Sequence, residues 1–190
     1  MTGKITLYLV RHGEAESNVR GIGNSLPEKR KMHLTENGIG QVHETATFLS
    51  TQGIDAIVAS PLARTRETAG IISEKTGVEV LIDDRLHETG PGIYNDGPID
   101  KFFSKYPDMK MRISPDPLDG AESIIETRGR VESFLHDVKQ VYVNKKVVVV
   151  SHGDVLDQMY GILKRQSPGE TIDDDWYPKK GSYKEVVWEF

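Results

Sequence analysis

The residues of this sequence best suited to chemistry are two histidines and two arginines that follow apolar runs. They are Arg11, His12, Arg64 and His152. Arginine can bind a phosphoryl group through a planar fork of N–H donors that stays charged at any working pH. Histidine is largely neutral near pH 7, so it can attack phosphorus without a separate base. Around one phosphoryl group, these four side chains could neutralise transition-state charge without a metal ion.

Strands that alternate with helices must position these side chains. Continuous β-branched runs indicate strands buried on both faces, and a more alternating run indicates an edge strand. We therefore expect buried strands at residues 5–10, 54–59, 78–82 and 147–150, and an edge strand at 185–188. Apolar residues at helical spacing indicate helices at 36–50, 62–75, 121–143 and from Gly153 onward. The alternation predicts an α/β fold, a three-layer sandwich with a mostly parallel central sheet.

The strand ends are expected to bring the reactive residues to one place. In an open α/β sheet, ligands bind beyond the carboxyl ends of the strands. Arg11-His12, Arg64 and Ser151-His152-Gly153 all follow such ends. Gly153, at the start of a helix, adds backbone N–H groups and the positive end of the helix dipole, which also favour an anion.

One long segment breaks the alternation of strands and helices. Residues 83–119 hold five of the nine prolines, and a short helix is expected at 99–106. A long irregular segment in a compact domain often serves as a lid or a binding loop. We therefore expect a single domain, 1–190, with a lid inserted at about 83–119; an insertion without a role is the alternative.

Composition narrows the classes of partner. The 190 residues carry a net charge of −5 and include no cysteine. A mildly acidic chain is not suited to non-specific binding of nucleic acid or anionic membranes. The lack of cysteine excludes disulfides, thiolate metal sites and thiol nucleophiles. The apolar run at 5–10 is too short for a membrane span or a signal-peptide core, which predicts a cytoplasmic protein. The oligomeric state stays open, a homodimer included.

Taken together, the motifs resemble the histidine phosphatase superfamily, in its phosphoglycerate-mutase-like group of histidine acid phosphatases. The matching elements, in order along almost the whole chain, are Arg11-His12-Gly13-Glu14, Asn18, His33-Leu34-Thr35, Ser60-Pro61-Leu62 with Arg64-Thr65, Glu88, Gly120-Ala121-Glu122-Ser123 and Ser151-His152-Gly153. Arg-His-Gly alone is a weak signal. The combination is specific, because the elements that begin at Arg11, Ser60 and Ser151 each follow a predicted strand and Glu88 lies in the expected lid, in the family's order.

The resemblance implies a role for each matching residue. His12 would become phosphorylated by the substrate. Glu88 would protonate the leaving oxygen and then act as base on the water that hydrolyses the phosphohistidine. The substrate would be a small phosphorylated metabolite, and neither a cofactor nor a metal would be needed. The phosphoryl oxygens would be bound by a larger set: Arg11, Asn18, Arg64, His152 and the N–H of Gly153.

Some features depart from the family pattern. Many members have a hydroxyl residue where this chain has Ala15, so one phosphate contact is missing. Residues 92–97 only loosely match the Gly-aromatic-x-Glu-Gly pattern that follows the acid in many phosphatases, and Asp84 and His87 are neighbours that compete with Glu88 for its assignment. The loop before His33 is longer than usual.

We hypothesise that three cations of this loop, Lys29, Arg30 and Lys31, border the entrance and attract a second anionic group of the substrate. An exposed charged loop is the alternative interpretation. Thr35 is expected as a helix cap, and residues 173–175 as a solvated acidic turn. His33, His43 and His136 have no companions in the sequence and are expected at the surface or in packing.

The preferred function is a metal-independent phosphatase that hydrolyses a phosphomonoester. A phosphoglycerate-type mutase is the first alternative, but mutases of this resemblance tend to be longer than 190 residues. A phosphatase of phosphohistidine or other phosphoproteins is the second. A sugar-bisphosphate or nucleotide-loop phosphatase, a non-catalytic phosphate-binding module and a metallohydrolase complete the set.

Overall fold

Five strands form one sheet in the computed structural model, which describes residues 3–116 and 119–190. They are β1 (Lys4–Arg11), β2 (Ala56–Ala59), β3 (Val80–Ile82), β4 (Lys146–Ser151) and β5 (Tyr183–Glu189). Their order across the sheet is β3-β2-β4-β1-β5. Neighbouring strands run parallel except β5, which pairs antiparallel with β1 at the edge. The predicted mostly parallel sheet and its edge strand are confirmed.

Helices cover both faces of this sheet. The helices are α1 (Glu16–Arg20), α2 (Glu36–Leu49), α3 (Ala63–Thr76), α4 (Ile99–Lys105), α5 (Ile124–Val141), α6 (Gly153–Leu163) and α7 (Pro168–Ile172). Apolar residues of α2 and α3 pack on one face, and those of α5 and α6 on the other. The three-layer α/β architecture predicted from the alternation is confirmed. The five-residue helices α1 and α7 are too short to give a periodic signal and were not expected.

The two cores explain why β1 reads as an unbroken apolar run. Leu7 and Leu9 belong to the cluster with α5 and α6, whereas Tyr8 and Val10 belong to the cluster with α2 and α3. A strand covered on both faces needs apolar residues at successive positions rather than alternate ones. Such burial fixes the direction in which the residue after the strand, His12, leaves the sheet.

Local signals set the helix ends. The Thr35 hydroxyl accepts a hydrogen bond from the Gly38 N–H at 3.0 Å and so caps α2, as predicted. Gly77 ends α3 in the left-handed region, with φ of +73°, which favours glycine. Helix α5 begins three residues later than position 121 because Ser123 and Glu126 form a capping box.

A crossover segment, residues 83–116 and 119–123, connects β3 to α5 over the carboxyl edge of the sheet. It contains α4 and three 3₁₀ turns, Asp84–Leu86, Gly92–Tyr94 and Met109–Ile113. The expected lid at 83–119 falls here, apart from residues 117 and 118, which lie outside the described residues. Within residues 3–116 and 119–190, no helix has the length and apolarity needed to cross a membrane.

Gly38 should be intolerant of substitution, because α2 lies directly against the backbone that follows β1. A Cβ at Gly38 would overlap the carbonyl oxygen of Glu14, a backbone atom that cannot move aside cheaply. We expect Gly38→Ala to lower the free energy of unfolding by about 2 kcal/mol, measured by urea denaturation. Gly40→Ala is the matched control, since nothing lies near its Cβ. It should raise stability by up to about 1 kcal/mol. Equal effects of the two changes would contradict this close approach.

Candidate active site

The carboxyl ends of three neighbouring strands bring the predicted residues together. Arg11 ends β1, and His12 follows it; Arg64 lies in the first turn of α3, after β2; His152 follows β4. The His12 N–H donates to the Ser151 carbonyl at 3.1 Å, which ties the ends of β1 and β4 together. The imidazole centroids of His12 and His152 are 5.1 Å apart. The convergence expected from strand order is therefore present.

His12 is held with one nitrogen directed at the other reactive groups. Its Nδ1 lies 2.7 Å from the carbonyl oxygen of Gly13, and its Nε2 accepts from Arg64 Nε at 3.2 Å. A carbonyl can only accept, so these contacts assign the proton to Nδ1 and leave the lone pair on Nε2. Burial, with the charges of Arg64 and Arg11, holds the pKa of His12 well below its usual range. A neutral imidazole with its lone pair on Nε2 can act as a nucleophile.

Arg64 links the two histidines. It is buried, and besides His12 its Nη2 lies 3.1 Å from Nδ1 of His152. Two further bonds, at 2.6 and 3.0 Å, go to the side-chain and backbone oxygens of Asn24. Burial lowers the pKa of Arg64 to about 10, so it stays protonated near neutral pH. A phosphoryl oxygen is an acceptor like the histidine nitrogens, so the same N–H donors can bind it.

His152 is fixed from behind. Its Nε2 lies 2.8 Å from the hydroxyl of Ser60, the first residue after β2. Burial and the charge of Arg64 hold its pKa well below the usual range. Gly153, next along the chain, starts α6, and a Cβ there would overlap the Tyr177 hydroxyl. Glycine at 153 therefore lets Tyr177 approach the helix start.

Arg11 offers a free donor. Its Nη1 donates to the Pro178 carbonyl at 2.8 Å, and its guanidinium lies over the Tyr177 ring at 5.4 Å. Its Nε is buried without a hydrogen-bond partner. An unpaired buried donor is costly, and an anion in the site would satisfy it.

Glu88 lies on the cavity wall close to His152. Its Oε1 accepts from the Thr89 N–H at 3.0 Å, and its Oε2 lies 3.8 Å from Nδ1 of His152. Burial, followed by the nearby carboxylate of Asp154, raises the pKa of Glu88 to about 7. Near neutral pH it can therefore both donate and accept a proton. The competing neighbour His87 instead bonds to the Glu88 carbonyl and lines a different cavity.

Arg11, His12, Arg64 and Glu88 line a cavity of about 340 Å³ between the sheet edge and the crossover segment. His152 and Gly153 are buried and are not part of its wall. Asn18 lies on its wall, although its Oδ1 is occupied by the Ala15 N–H at 3.0 Å. The apolar part of the wall comes mainly from the crossover segment: Pro91, Ile99, Phe102 and Phe103. Seven polar residues of the wall were not anticipated, namely Ser17, Asn24, Thr89, Arg112, Asp154, Tyr177 and Lys180. Ser17, Thr89 and Asp154 directly adjoin recognised residues, which was a usable signal; the others do not.

The basic loop does not take the position hypothesised for it. Lys29, Arg30 and Lys31 are absent from the wall of this cavity, and Lys29 borders the second cavity. Arg30 donates to the Asp96 carbonyl at 2.8 Å, which holds it away from the entrance. The additional cations on the wall are Arg112 and Lys180. Glu28 of the same loop turns inward and accepts from the Ala63 N–H at 3.2 Å, at the start of α3.

His33 was expected to lack a companion, and this was wrong. Its Nδ1 bonds to the Glu67 carboxylate, whose other oxygen accepts from the Leu34 N–H at 2.8 Å. This pair joins the loop before α2 to α3, away from the cavity wall. His43 is exposed, and His136 contacts Gln140 on the surface of α5.

Acidic residues elsewhere are engaged in structural contacts. Asp174 accepts from Lys164 and from the Trp176 N–H, and Asp173 pairs with Lys110. Among residues 3–116 and 119–190, no three histidine, aspartate or glutamate side chains come together as a group able to hold a metal ion.

Comparisons with known proteins agree with this geometry. The family model described as "Histidine phosphatase superfamily (branch 1)" matches residues 7–188. Phosphoserine phosphatase 1 of Hydrogenobacter thermophilus is 35% identical over 163 residues, covering 84% of this chain and 76% of that protein. The protein named "Probable phosphoglycerate mutase GpmB" of Serratia proteamaculans is 33% identical over 156 residues, covering 80% and 71%.

A solved structure shares the fold. The mycobacterial glucosyl-3-phosphoglycerate phosphatase superposes with a TM-score of 0.81 at 22% identity, over 95% of this chain and 90% of that one. At this identity the likeness concerns the arrangement of strands and helices.

Proposed function

The chain belongs to the histidine phosphatase superfamily, and from this premise we propose that it hydrolyses a small phosphorylated metabolite through a phosphohistidine on His12. The observation that carries the proposal is the orientation of His12. Its Nδ1 proton is held by the Gly13 carbonyl, and its Nε2 lone pair meets the donors of Arg64. A nucleophile is thus directed at the place where an anion is bound.

The reaction takes two steps. Nε2 of His12 attacks phosphorus, the bond from phosphorus to the ester oxygen breaks, and protonated Glu88 gives its proton to that oxygen. Water then attacks the phosphohistidine, Glu88 takes a proton from the water, and the bond from phosphorus to Nε2 breaks. Inorganic phosphate leaves, and both His12 and Glu88 return to their initial forms. A pKa of about 7 suits Glu88 to both proton transfers.

Transition-state charge is stabilised by this chain's own donors in our proposal. Arg11 and Arg64 supply two guanidinium groups, one of which keeps a free buried Nε. Asn18 contributes a further amide donor on the same wall. His152 accepts from Arg64 through Nδ1 and meets the Ser60 hydroxyl through Nε2, so we propose that it positions the Arg64 donors. Preorganised donors of this kind provide the largest single contribution to the rate enhancement of many enzymes. We therefore propose that the reaction needs no metal ion.

The surroundings favour a small substrate. A cavity of about 340 Å³ lies under the crossover segment, which we propose acts as the lid. Such a volume suits a metabolite better than a folded phosphoprotein. A chain without cysteine suits the reducing cytoplasm, which we propose as its compartment.

A mutase is the second candidate, because the relative from Serratia proteamaculans carries that name. A mutase returns the phosphoryl group from His12 to another hydroxyl of the substrate and excludes water. A phosphatase admits water to the phosphohistidine.

Turnover in ¹⁸O-labelled water with a chelator present tests the proposal. We expect inorganic phosphate that carries one ¹⁸O per turnover from a panel of small phosphomonoesters. Isomerised substrate without phosphate release would instead support the mutase. Phosphate binding with no turnover of any ester would support a binding module, and activity restored only by added metal would overturn the metal-free route.

A further inference from the structure

We propose that Asp154 is a positioning residue that keeps Glu88 protonated, and that Arg112 of the crossover segment limits this effect by pairing with Asp154. This inference rests on the proposed function, in which Glu88 is the proton donor. It adds two residues that act through Glu88 rather than on the phosphoryl group.

Asp154 is firmly held beside the reacting groups. It is the second residue of α6 and lies on the wall of the same cavity as Glu88. Its Oδ1 accepts from the Tyr177 hydroxyl at 2.7 Å, and its Oδ2 accepts from Arg112 Nη1 at 2.7 Å. Two hydrogen-bond donors and the N-terminus of a helix therefore face this carboxylate.

Charges of both signs act on Glu88. The carboxylate of Asp154 comes from α6, and the guanidinium groups of Arg64 and Arg11 come from α3 and β1. The neutral imidazole of His152 lies 3.8 Å away. The Tyr177 hydroxyl is also near, and it already donates to Asp154. Two cations favour an ionised Glu88, whereas burial and Asp154 favour the acid form that a leaving oxygen requires.

Arg112 partly cancels Asp154. The side chains of this ion pair are 12% and 13% exposed, so solvent screens their charges little. The Nε of Arg112 is buried without a partner, so the guanidinium has donor capacity to spare. Removing each member of the pair should therefore change the proton affinity of Glu88 in opposite directions.

The test is the pH dependence of kcat/KM with an alkyl phosphate, whose leaving oxygen needs a proton. We expect wild type to lose activity as the pH rises through about 7, where Glu88 ionises. Asp154→Asn removes the charge and keeps one of the two acceptor oxygens, so this loss should begin about one pH unit lower. Arg112→Gln leaves Asp154 uncompensated, so the loss should begin at higher pH. A merely structural role would lower activity in both variants without opposite displacements.

Two controls separate the causes. Asp157, on the next turn of α6, is buried and its pKa is also raised to about 7. Asp157→Asn should leave the alkaline limb of the pH profile, the loss of activity above about pH 7, at the same pH as in wild type. With p-nitrophenyl phosphate, whose leaving group needs no proton, the pH at which kcat/KM falls should be the same in wild type and Asp154→Asn.

The outcomes distinguish this inference from the proposed function. Wild-type turnover with the same alkaline limb in all variants overturns the role of Asp154 and Arg112. Displacement of the limb by Asp157→Asn alone overturns it as well. Wild type that never forms a phosphohistidine overturns the proposed function itself.

Discussion

His12→Ala should abolish turnover of every phosphomonoester that the wild type hydrolyses. The loss of the Nε2 nucleophile should lower kcat by about 10⁴-fold or more, because water attacking directly lacks the covalent route. Rapid quenching of wild type with ³²P-labelled substrate should trap an acid-labile, base-stable label on the protein. The variant should carry no label.

His43→Ala is the matched control for the loss of an imidazole. His43 is exposed on α2 and lies outside the cavity wall. It should keep both turnover and label. Label retained by His12→Ala would mean that another residue is the nucleophile, and the orientation of His12 would then need a different explanation.

Arg64→Ala should produce the second largest loss. It removes the donors that meet His12, His152 and Asn24 together. We expect kcat/KM to fall by about 10²–10³-fold, the scale measured when one transition-state donor is removed. Inhibition by orthovanadate, which mimics the transferring phosphoryl group, should weaken in parallel.

Two further variants show whether the loss in Arg64→Ala is specific to this position and to the guanidinium group. Arg66→Ala, two residues along the same helix and exposed, should leave kcat/KM and vanadate inhibition unchanged. Arg64→Lys keeps a charge without the planar fork and should recover only part of the activity. Full activity in Arg64→Lys would show that charge alone matters at this position. Urea unfolding of each variant checks that the fold survives.

Much of the fold could be predicted, because its signals are local. The β-branched runs that become β1 and β4, the Thr35 cap and the Gly77 stop each need only a few neighbouring residues. The placement of Arg11, His12, Arg64 and His152 also followed, since strand order brings carboxyl ends to one edge. The position of each of these residues can be predicted from the apolar strand that comes shortly before it in the sequence.

Residues that act through distant partners could not be predicted. Asn24 matters because Arg64, forty positions away, binds two of its oxygens. Arg112 reaches Asp154 only because the crossover segment folds back over the sheet. The basic loop shows the reverse error: its charges suggested an entrance, but the Arg30 side chain donates to the Asp96 carbonyl instead. Net charge along the sequence does not specify which cations face a cavity.

The interior position of β1 in the sheet gives the two sides of the site different resistance to unfolding. β1 is paired on both sides, by β4 and β5, so its amides should exchange with solvent only when the whole protein unfolds. The crossover segment consists of short turns and a seven-residue helix, and it should exchange through local opening. Mild denaturant should therefore displace the crossover segment, which carries Glu88 as well as the apolar wall, before it disturbs Arg11 and His12. For the same reason, substitutions in the apolar part of the cavity wall can change which substrates fit, while Arg11, His12 and Arg64 at the strand ends stay unchanged.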